Sequence, residues 1–242
     1  MDGDKIERLR EMIAGSDNIV FFGGAGVSTE SSIPDFRSQD GLYHQQYKYP
    51  PEYMLSQTFF ETHTEEFYDF YRDKMVFPEA SPNDAHKKLA QLEREGKLRA
   101  VVTQNIDGLH QAAGSVNVLE LHGSVHRNYC IGCGKTYPLD FILDSKGVPK
   151  CGCGGTVRPD VVLYEEGLNY SIMEEAEKFI READMLIVGG TSLVVYPAAG
   201  LIRSYRGNKL ALINKGETAY DSKASLIISG PIGETLAMAW PG

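Results

Sequence analysis

The sequence predicts an α/β fold: a doubly wound parallel sheet that is interrupted by one small inserted module. Short apolar segments typical of buried strands alternate along the chain with segments whose apolar residues recur at helical spacing. The alternation stops once, between about residues 126 and 160, in a segment that holds all four cysteines and several glycines. Strands that alternate with helices form a parallel sheet covered by helices on both faces.

The first elements are a helix over Asp4–Ala14, which Gly15 ends, and a buried strand over Ile19–Phe22. A glycine-rich turn follows that strand directly. Residues 40–80 then carry many aromatic side chains, which predict helical and loop segments around a small satellite core.

The later elements continue the alternation. Helices are predicted over Asn83–Gly96, Ile172–Ala183, Pro197–Tyr205 and Ile232–Ala239. Strands are predicted over Leu98–Thr103, Val116–Leu121, Met185–Gly189, Lys209–Asn214 and Leu226–Ile228. Ligands of such sheets bind beyond the carboxyl ends of the strands, so the residues that follow each strand are the candidates for a functional site.

Composition and charge exclude several classes of protein. The 242 residues carry 24 Lys and Arg against 33 Asp and Glu, a net charge of −9, which disfavours a nucleic-acid partner. The apolar stretches Ile19–Val27 and Met185–Val195 are too short and too glycine-rich to span a membrane. The N-terminus is acidic and has no apolar core, so we expect no secretory signal and a cytoplasmic location. The sequence shows no obvious pairing features, so the default expectation is a monomer.

The four cysteines have the spacing of a metal site. Cys130, Cys133, Cys151 and Cys153 form a C-x2-C-x17-C-x-C pattern, and no other cysteine occurs in the chain. Two cysteine pairs separated by a loop supply the four thiolates that tetrahedral Zn²⁺ prefers. We therefore expect one structural zinc ion; a redox pair and four ordinary thiols are the alternatives.

Small, amide and hydroxyl residues follow five of the predicted strands, with one carboxylate and one imidazole among them. They lie in Gly23-Gly24-Ala25-Gly26-Val27-Ser28-Thr29, Gln104-Asn105-Ile106-Asp107, His122-Gly123, Gly190-Thr191-Ser192 and Asn214. Together they suit a dinucleotide, because glycines let the backbone approach phosphates and polar side chains bind ribose.

Each of these groups has a structural alternative. A glycine-rich turn also serves tight strand–helix packing, Asn105 or Asp107 can cap a helix, and a single His such as His122 is often structural. Thr29 stands where the ordinary dinucleotide fingerprint has its third glycine, and Pro34 interrupts the helix that should follow. An ordinary hydride-transferring dehydrogenase is therefore disfavoured.

In these residues the sequence resembles the sirtuins, NAD-dependent protein deacylases, in their bacterial form. The matching motifs are Gly24-Ala25-Gly26-Val27-Ser28, Ile33-Pro34-Asp35-Phe36-Arg37, Thr103-Gln104-Asn105-Ile106-Asp107, Leu121-His122-Gly123, the four cysteines, Arg158-Pro159-Asp160-Val161-Val162 and Gly190-Thr191-Ser192-Leu193. They follow in the family's order and extend from about Ile19 to Gly233.

The resemblance implies one catalytic domain over residues 1–242 with a large Rossmann-like subdomain at about 1–38, 80–125 and 160–242. The small subdomain would comprise a helical part at about 39–79 and the zinc module at about 126–159. NAD and a peptide that carries acyl-lysine would bind between the two.

The resemblance also implies roles for individual residues. His122 would be the general base, and Asn105 would hold a water or a ribose hydroxyl. NAD would be bound by Gly24, Ala25, Gly26, Thr29, Asp35, Phe36, Arg37, Gln104, Ile106, Asp107, Gly190, Thr191, Ser192, Asn214 and Ile232. The acyl-lysine peptide would contact Val161, Val162, Tyr164 and Val195.

The implied activity is transfer of the acetyl group from acetyl-lysine to ADP-ribose, with release of nicotinamide and O-acetyl-ADP-ribose. His122 would take a proton from a ribose hydroxyl, and general-base help of this kind contributes about 10²–10⁴-fold to a rate. Three alternatives remain from the sequence: mono-ADP-ribosyl transfer to protein side chains, a preference for another acyl group, and a non-enzymatic zinc-containing binding module.

The sequence departs from the sirtuin pattern at several positions. Gly23 replaces the usual Thr, which we expect to loosen the strand end, and Ser32 replaces the usual Gly, so its backbone must accept a Cβ atom. Tyr164-Glu165-Glu166 replaces Phe-Gly-Glu, and the charge of Glu165 favours basic residues beside the target lysine.

One further departure concerns the acyl group. Family members that prefer succinyl- or malonyl-lysine carry Tyr-x-x-Arg in the acyl pocket. Here Arg72 lies four residues after Tyr68, and Tyr71 takes the place of the Arg. One residue of offset turns a helical side chain by about 100°, so the sequence predicts deacetylation with little activity on acidic acyl groups. Tyr68, Tyr71 and Tyr164 are predicted near the acyl tunnel.

Overall fold

A computed structural model describes residues 3–38 and 41–241. The predictions that include Met1, Asp2, Gln39, Asp40 and Gly242 lie, at those positions, outside the described residues. The strands are β1 (Ile19–Gly23), β2 (Leu98–Thr103), β3 (Val118–Glu120), β4 (Gly123–Cys130), β5 (Thr136–Tyr137), β6 (Val157–Val161), β7 (Met185–Gly189), β8 (Lys209–Asn214) and β9 (Leu226–Ser229). The α-helices are α1 (Gly3–Ala14), α2 (Pro51–Met54), α3 (Gln57–Thr62), α4 (Thr64–Lys74), α5 (Asp84–Arg94), α6 (Leu109–Ala112), α7 (Leu139–Asp144), α8 (Tyr170–Glu182) and α9 (Ile232–Ala239).

Six strands form a parallel sheet in the order β3-β2-β1-β7-β8-β9, which confirms the predicted fold class. The first half of the sheet comprises β1, β2 and β3. The chain then crosses back, so that β7 pairs with the other edge of β1. Gly23 of β1 is in register with Thr103 of β2 and Gly189 of β7, so three strands end at one level. A ligand crevice is expected where the strand order reverses in this way.

Each face of the sheet has its own hydrophobic core. Ile19 and Phe21 of β1 pack with α1, α5 and α9, whereas Val20 and Phe22 pack with α8 and the short helix at Ala198–Ser204. All of β1 is buried, because a central strand covered on both faces leaves no side chain for solvent.

The inserted module is a three-stranded antiparallel sheet in the order β5-β4-β6. It shares a third core with the aromatic segment of α2, α3 and α4, to which Phe59, Phe67 and Tyr68 contribute fully buried rings. The predicted aromatic satellite core is therefore confirmed. The exact subdomain boundaries remain a prediction.

The helix predicted over Pro197–Tyr205 is present as a 3₁₀ helix over Ala198–Ser204. One predicted element needs correction. The strand predicted over Val116–Leu121 pairs only from Val118, because the Glu93 carboxylate binds the backbone N–H groups of residues 116 and 117. Among the described residues, no helix is long and apolar enough to cross a membrane.

The first departure from the sirtuin pattern, Gly23, has a packing reason. A Cβ atom at position 23 would lie 2.5 Å from Cε1 of Phe21 and 3.1 Å from Val27 Cγ2. The phenyl ring of Phe21 therefore fills the space that a larger residue at position 23 would need. The expected loosening of the strand end is wrong, since Gly23 is buried and paired on both sides.

The second departure, Ser32, adopts φ 63° and ψ 21°, the left-handed conformation that favours glycine. The backbone accommodates the Cβ atom, but at an energetic cost. We expect Ser32→Gly to raise the free energy of unfolding by about 0.5–1 kcal/mol in urea titrations. Ser32→Ala, which keeps the Cβ atom of this exposed residue, is the matched control and should give no gain. Equal stability of Ser32→Gly and Ser32→Ala would contradict the prediction.

Candidate active site

A cavity of about 630 Å³ opens at the carboxyl ends of β1, β2 and β7, between the parallel sheet and the inserted module. Its volume is typical of small-molecule sites. The predicted site residues on its wall are Gly24, Ala25, Gly26, Asp35, Phe36, Arg37, Gln104, Asn105, Ile106, Asp107, His122, Val161, Val162, Tyr164, Gly190, Thr191, Ser192, Val195 and Asn214. Two other predicted residues lie elsewhere: Ile232 packs in the core against Gly189, and the Thr29 hydroxyl binds the Gly26 carbonyl.

The glycine turn after β1 packs backbone to backbone on the end of β7. The Gly26 N–H donates to the Gly190 carbonyl at 2.8 Å, and a Cβ atom at Gly26 would lie 2.8 Å from the Gly190 Cα. Gly190 itself has φ +60°. The glycines thus serve tight packing and also keep this wall of the cavity free of side chains, which a pyrophosphate requires.

Amide side chains line the same end of the cavity. Gln104 Nε2 donates to the Thr191 hydroxyl at 3.1 Å, and Asn214 Nδ2 donates to the Thr191 carbonyl at 3.2 Å. These bonds join β2, β7 and β8 at the level where their strands end. The residues present therefore fit a dinucleotide: a bare glycine backbone lies beside amide and hydroxyl groups that suit ribose.

Ser28 also lines the site, although it was not among the residues predicted to bind NAD or to act in catalysis. Its hydroxyl donates to Asp107 Oδ2 at 2.6 Å and accepts from Asn105 Nδ2 at 3.1 Å. The other carboxylate oxygen, Oδ1, accepts the Leu109 N–H at 2.9 Å. Ser28 lies inside the quoted glycine motif, but its partner Asp107 is 79 residues away, so only the fold reveals the bond.

His122 has the geometry of a neutral base. Its Nδ1 lies 2.9 Å from the Gln104 carbonyl, which can only accept, so Nδ1 carries the proton and Nε2 keeps its lone pair. Nε2 has no hydrogen-bond partner among the described residues. Burial lowers the pKa of His122, and the bond to Gln104 only partly opposes this effect. The imidazole is therefore neutral near neutral pH, with its proton on Nδ1, and it lines the cavity.

The lowered pKa of His122 predicts a pH dependence. A base is lost when it binds a proton, so kcat/KM should fall on acidification with a midpoint below the ordinary value of 6.5 and stay level above pH 7. Rates from pH 5 to 9 test this, and a midpoint at or above 7 would contradict it.

Circular dichroism over the same pH range is the control for folding. Burial lowers the pKa of His86 to about 4 and that of His110 to about 3. The unfolded chain therefore binds more protons than the folded chain below pH 6.5, and stability falls as the pH drops from 6.5 towards 4. A change in rate without a change in ellipticity reports protonation in the active site and not unfolding of the chain.

The inserted module brings its third strand against His122. The Val162 N–H donates to the His122 carbonyl at 3.0 Å. Gly123, with φ +78°, allows this approach, because a Cβ atom there would lie 1.9 Å from the Asp160 carbonyl oxygen. The segment Val161–Tyr164 therefore forms a wall of the cavity beside the imidazole.

An ion pair shapes the turn that follows this wall. Arg158 Nη1 lies 2.7 Å from Glu166 Oε1, both side chains are mostly buried, and the other carboxylate oxygen accepts the Leu163 N–H at 2.8 Å. Glu165, at φ 77°, occupies a glycine-type conformation, and its carboxylate accepts from the N–H and the hydroxyl of Thr58 at the start of α3.

Several further residues line the cavity but were not predicted from the sequence. Met75, Val76 and Phe77 form an apolar stretch after α4, and His126 binds the Asp107 carbonyl through Nε2 at 3.0 Å. Apolar residues at the end of an aromatic helix carry no sequence signal that separates a cavity wall from ordinary core.

The acyl motif lies away from the cavity. Tyr68 and Tyr71 are buried in the third core, and neither they nor Arg72 line the cavity, which corrects the prediction that the two tyrosines lie at the acyl tunnel. Arg72 Nε donates to the Ile142 carbonyl at 2.9 Å and Nη2 to the Gly147 carbonyl at 2.5 Å. Its guanidinium is thus held by carbonyls of α7 and of the loop that follows α7.

The four cysteine sulfurs lie within 4.8 Å of one another. The Cys130–Cys153 and Cys133–Cys151 sulfur distances are 3.5 and 3.6 Å. A tetrahedral zinc with Zn–S bonds of about 2.3 Å sets its sulfurs about 3.8 Å apart, so the cluster fits one zinc ion. With four protein ligands and no open position, such a zinc is structural.

The fold and the site define a dinucleotide-binding α/β protein with a zinc-binding module beside its cavity. The sequence model of the Sir2 family matches residues 24–197. The chain belongs to the Sir2 family, the sirtuins.

Related proteins extend the match over nearly the whole chain. A protein of Clostridium acetobutylicum named NAD-dependent protein deacetylase is 64% identical over 237 residues, which cover 96% of this chain and 97% of that protein. One of the same name from Clostridium tetani is 60% identical and covers 96% of each chain.

Solved structures are also similar. A Sir2 enzyme structure has a TM-score of 0.89 and 41% identity, covering 98% of this chain and 97% of that chain. A Sir2–p53 peptide–NAD⁺ structure has a TM-score of 0.84 and 42% identity, covering 96% and 95%.

Proposed function

We propose that this protein removes acetyl groups from lysine side chains of proteins in an NAD-dependent reaction that yields nicotinamide and O-acetyl-ADP-ribose. The observation that carries the proposal is His122, whose unprotonated Nε2 faces the cavity where the parallel sheet meets the segment Val161–Tyr164. Relatives that are 64% and 60% identical bear the name NAD-dependent protein deacetylase.

NAD is the co-substrate of the proposed reaction. The glycine turn at Gly24–Gly26 and Gly190 would hold the pyrophosphate, with Thr191, Ser192 and Asn214 on the adenosine side. Packing in the core places Ile232 outside the cavity, so only its backbone is offered for an adenine contact.

The nicotinamide end would lie beside the Ser28–Asp107–Asn105 cluster. The Asp107 carboxylate is fixed by two hydrogen bonds, from Ser28 and from the Leu109 backbone, and so is positioned before a ligand arrives. Asn105 is 9% exposed and offers its side-chain oxygen to a ribose hydroxyl or to a water. His122 would accept the proton from a ribose hydroxyl at Nε2.

The acyl-lysine peptide would lie along Val161, Val162 and Tyr164, and it would also contact Val195, another residue of the cavity wall. A solved Sir2 structure with 40% identity holds an acetylated peptide. Glu165 keeps an exposed carboxylate at this rim, which supports a preference for basic residues near the target lysine.

A second function, transfer of ADP-ribose to protein side chains, would use the same cleavage of NAD. It is not favoured, because the related structures include one with a deacetylated peptide and 3′-O-acetyl-ADP-ribose. We further propose that the chain acts as a cytoplasmic monomer without membrane or nucleic-acid partners. Its net charge of −9 supports the absence of a nucleic-acid partner.

The experiment is a mass measurement of an acetyl-lysine peptide incubated with and without NAD, with nicotinamide quantified in parallel. We expect loss of one acetyl group only with NAD and about one nicotinamide per acetyl group lost. Release of nicotinamide with retention of the acetyl group would favour transfer or hydrolysis of NAD instead.

The acyl preference gives a separate prediction. Because the Arg72 guanidinium is bound to the Ile142 and Gly147 carbonyls, it is not available to pair with a carboxylate in the cavity. A buried carboxylate without a partner is destabilised by several kcal/mol, so kcat/KM on a succinyl-lysine peptide should be at least about 100-fold below that on the acetyl-lysine peptide. Comparable values for the two peptides would contradict this.

A further inference from the structure

Two tyrosines join the segment that carries Phe36 and Arg37 to the segment Val161–Tyr164. The hydroxyl of Tyr43 lies 2.5 Å from that of Tyr164, a hydrogen bond in which either oxygen can donate. Tyr43 belongs to the segment that follows the glycine motif, whereas Tyr164 belongs to the segment along which the peptide is proposed to lie. The residues are 121 positions apart in the chain.

Tyr43 is fixed to the cofactor side. Its N–H donates to the Phe36 carbonyl at 2.9 Å, its ring contacts the Phe36 ring edge-on at 5.6 Å, and the Arg37 guanidinium lies 5.2 Å from its ring centre. Phe36 and Arg37 both line the cavity. The position of Tyr43 is therefore coupled to the positions of Phe36 and Arg37, two residues expected to contact NAD.

Tyr164 is fixed to the other side. Its N–H donates to the Leu55 carbonyl at 2.9 Å, and its carbonyl accepts the Gln57 N–H at 3.0 Å. The backbone of Tyr164 is thus held by the segment between α2 and α3, and the residue is 37% exposed where it lines the cavity. The hydroxyl is one of this chain's departures from the sirtuin pattern, which has Phe at this position.

We propose that the Tyr43–Tyr164 hydrogen bond is a strap that positions Phe36 and Arg37 over the cavity and makes binding of the dinucleotide and of the peptide interdependent. The peptide half of this inference rests on the proposed function. With the strap formed, the cofactor segment is held in place before the dinucleotide binds, so less freedom is lost on binding. A peptide that orders Tyr164 favours the same arrangement, and by linkage each ligand strengthens the other.

The chemistry of the pair suits a strap that works over a wide pH range. Burial and the bond to Tyr164 raise the pKa of the Tyr43 phenol well above its ordinary value. The phenol therefore remains protonated at neutral and mildly alkaline pH, and the bond keeps its proton.

The test measures the affinity of ADP-ribose, which the enzyme cannot turn over, by calorimetry without peptide. Tyr43→Phe and Tyr164→Phe each delete one hydroxyl and keep the ring, so folding is preserved. We expect each to weaken ADP-ribose binding about two- to tenfold, the range of one hydrogen bond. The double variant should be no weaker than either single variant, because both lose the same bond.

Tyr47→Phe is the matched control. The Tyr47 hydroxyl also lies in the segment after the glycine motif, but it donates to Gln45, so its loss should leave the affinity unchanged. Unchanged ADP-ribose affinity in both Tyr43→Phe and Tyr164→Phe would overturn the proposal. So would a double variant whose fold-loss of affinity equals the product of the fold-losses of the two single variants.

A second titration with an acetyl-lysine peptide present measures the interdependence. In the wild type the peptide should raise ADP-ribose affinity, and this gain should shrink towards onefold in Tyr164→Phe. A gain that is unchanged in Tyr164→Phe would overturn the interdependence. If the wild type neither binds nor deacetylates the peptide, the proposed function fails, whereas the peptide-free titration still decides whether the strap exists.

Discussion

His122→Ala is expected to lower the turnover of an acetyl-lysine peptide by at least about 100-fold, and by as much as about 10⁴-fold. The substitution removes the imidazole whose Nε2, unpartnered among the described residues, lies beside the proposed peptide wall of the cavity. Its partner there is the backbone carbonyl of Gln104, so no buried charge is left behind and the fold should persist. Initial rates at saturating NAD and peptide measure the effect.

Binding and folding are the controls for this substitution. The His122→Ala protein should melt within a few degrees of the wild type and bind ADP-ribose with similar affinity, because the glycine turn is untouched. His63→Ala removes an imidazole that stacks on Phe59 outside the cavity wall, and it should keep full turnover. Turnover of His122→Ala within tenfold of the wild type would remove His122 from the role of general base.

Removal of zinc is expected to abolish activity and to unfold the inserted module. Cys130 and Cys151 are buried and belong to the third core, and β6 leads from this module directly to the peptide wall at Val161. Structural zinc in small modules contributes about 10–16 kcal/mol to folding, far more than the module's own short strands can replace. The zinc content per chain, the melting temperature and the deacetylation rate should fall together on chelation and recover on addition of Zn²⁺.

Cys151→Ala tests the same point by substitution. It should bind less than one zinc per chain and lose most activity, although its Sγ lies outside the cavity wall. Lys150→Ala, next to it, removes an exposed amine that donates to Thr156 and should retain zinc and activity. A Cys151→Ala protein with full zinc content and normal melting would contradict a four-cysteine site.

Those elements whose side chains face the core on a regular pattern were predictable from the sequence. The strands Met185–Gly189 and Lys209–Asn214 and the helix Ile232–Ala239 have the predicted bounds, because apolar runs and helical spacing decide them locally. The strand near Val118 was overextended, since a distant carboxylate, that of Glu93, binds the backbone before the strand begins.

The inserted sheet and the details of the site depend on contacts that local patterns do not encode. β4, β5 and β6 are held by pairing between strands and by the cysteine cluster, not by alternation of apolar residues. The orientation of Tyr68 and Tyr71 follows from packing of α4 in the third core. The motifs identified the cavity wall, whereas the bonds of Ser28 and Tyr43 needed the three-dimensional structure.

The contact between Phe21 and Gly23 restricts the routes by which this sequence can change. A threonine at position 23, as in other sirtuins, would collide with the Phe21 ring, and overpacking of this kind destabilises by about 1–3 kcal/mol. Replacing Phe21 first would leave a cavity in the core, also at a loss of stability. Either order passes through a weakened intermediate, so the two residues are expected to be inherited as a unit, and ancestral reconstructions that exchange only one of them should yield less stable proteins.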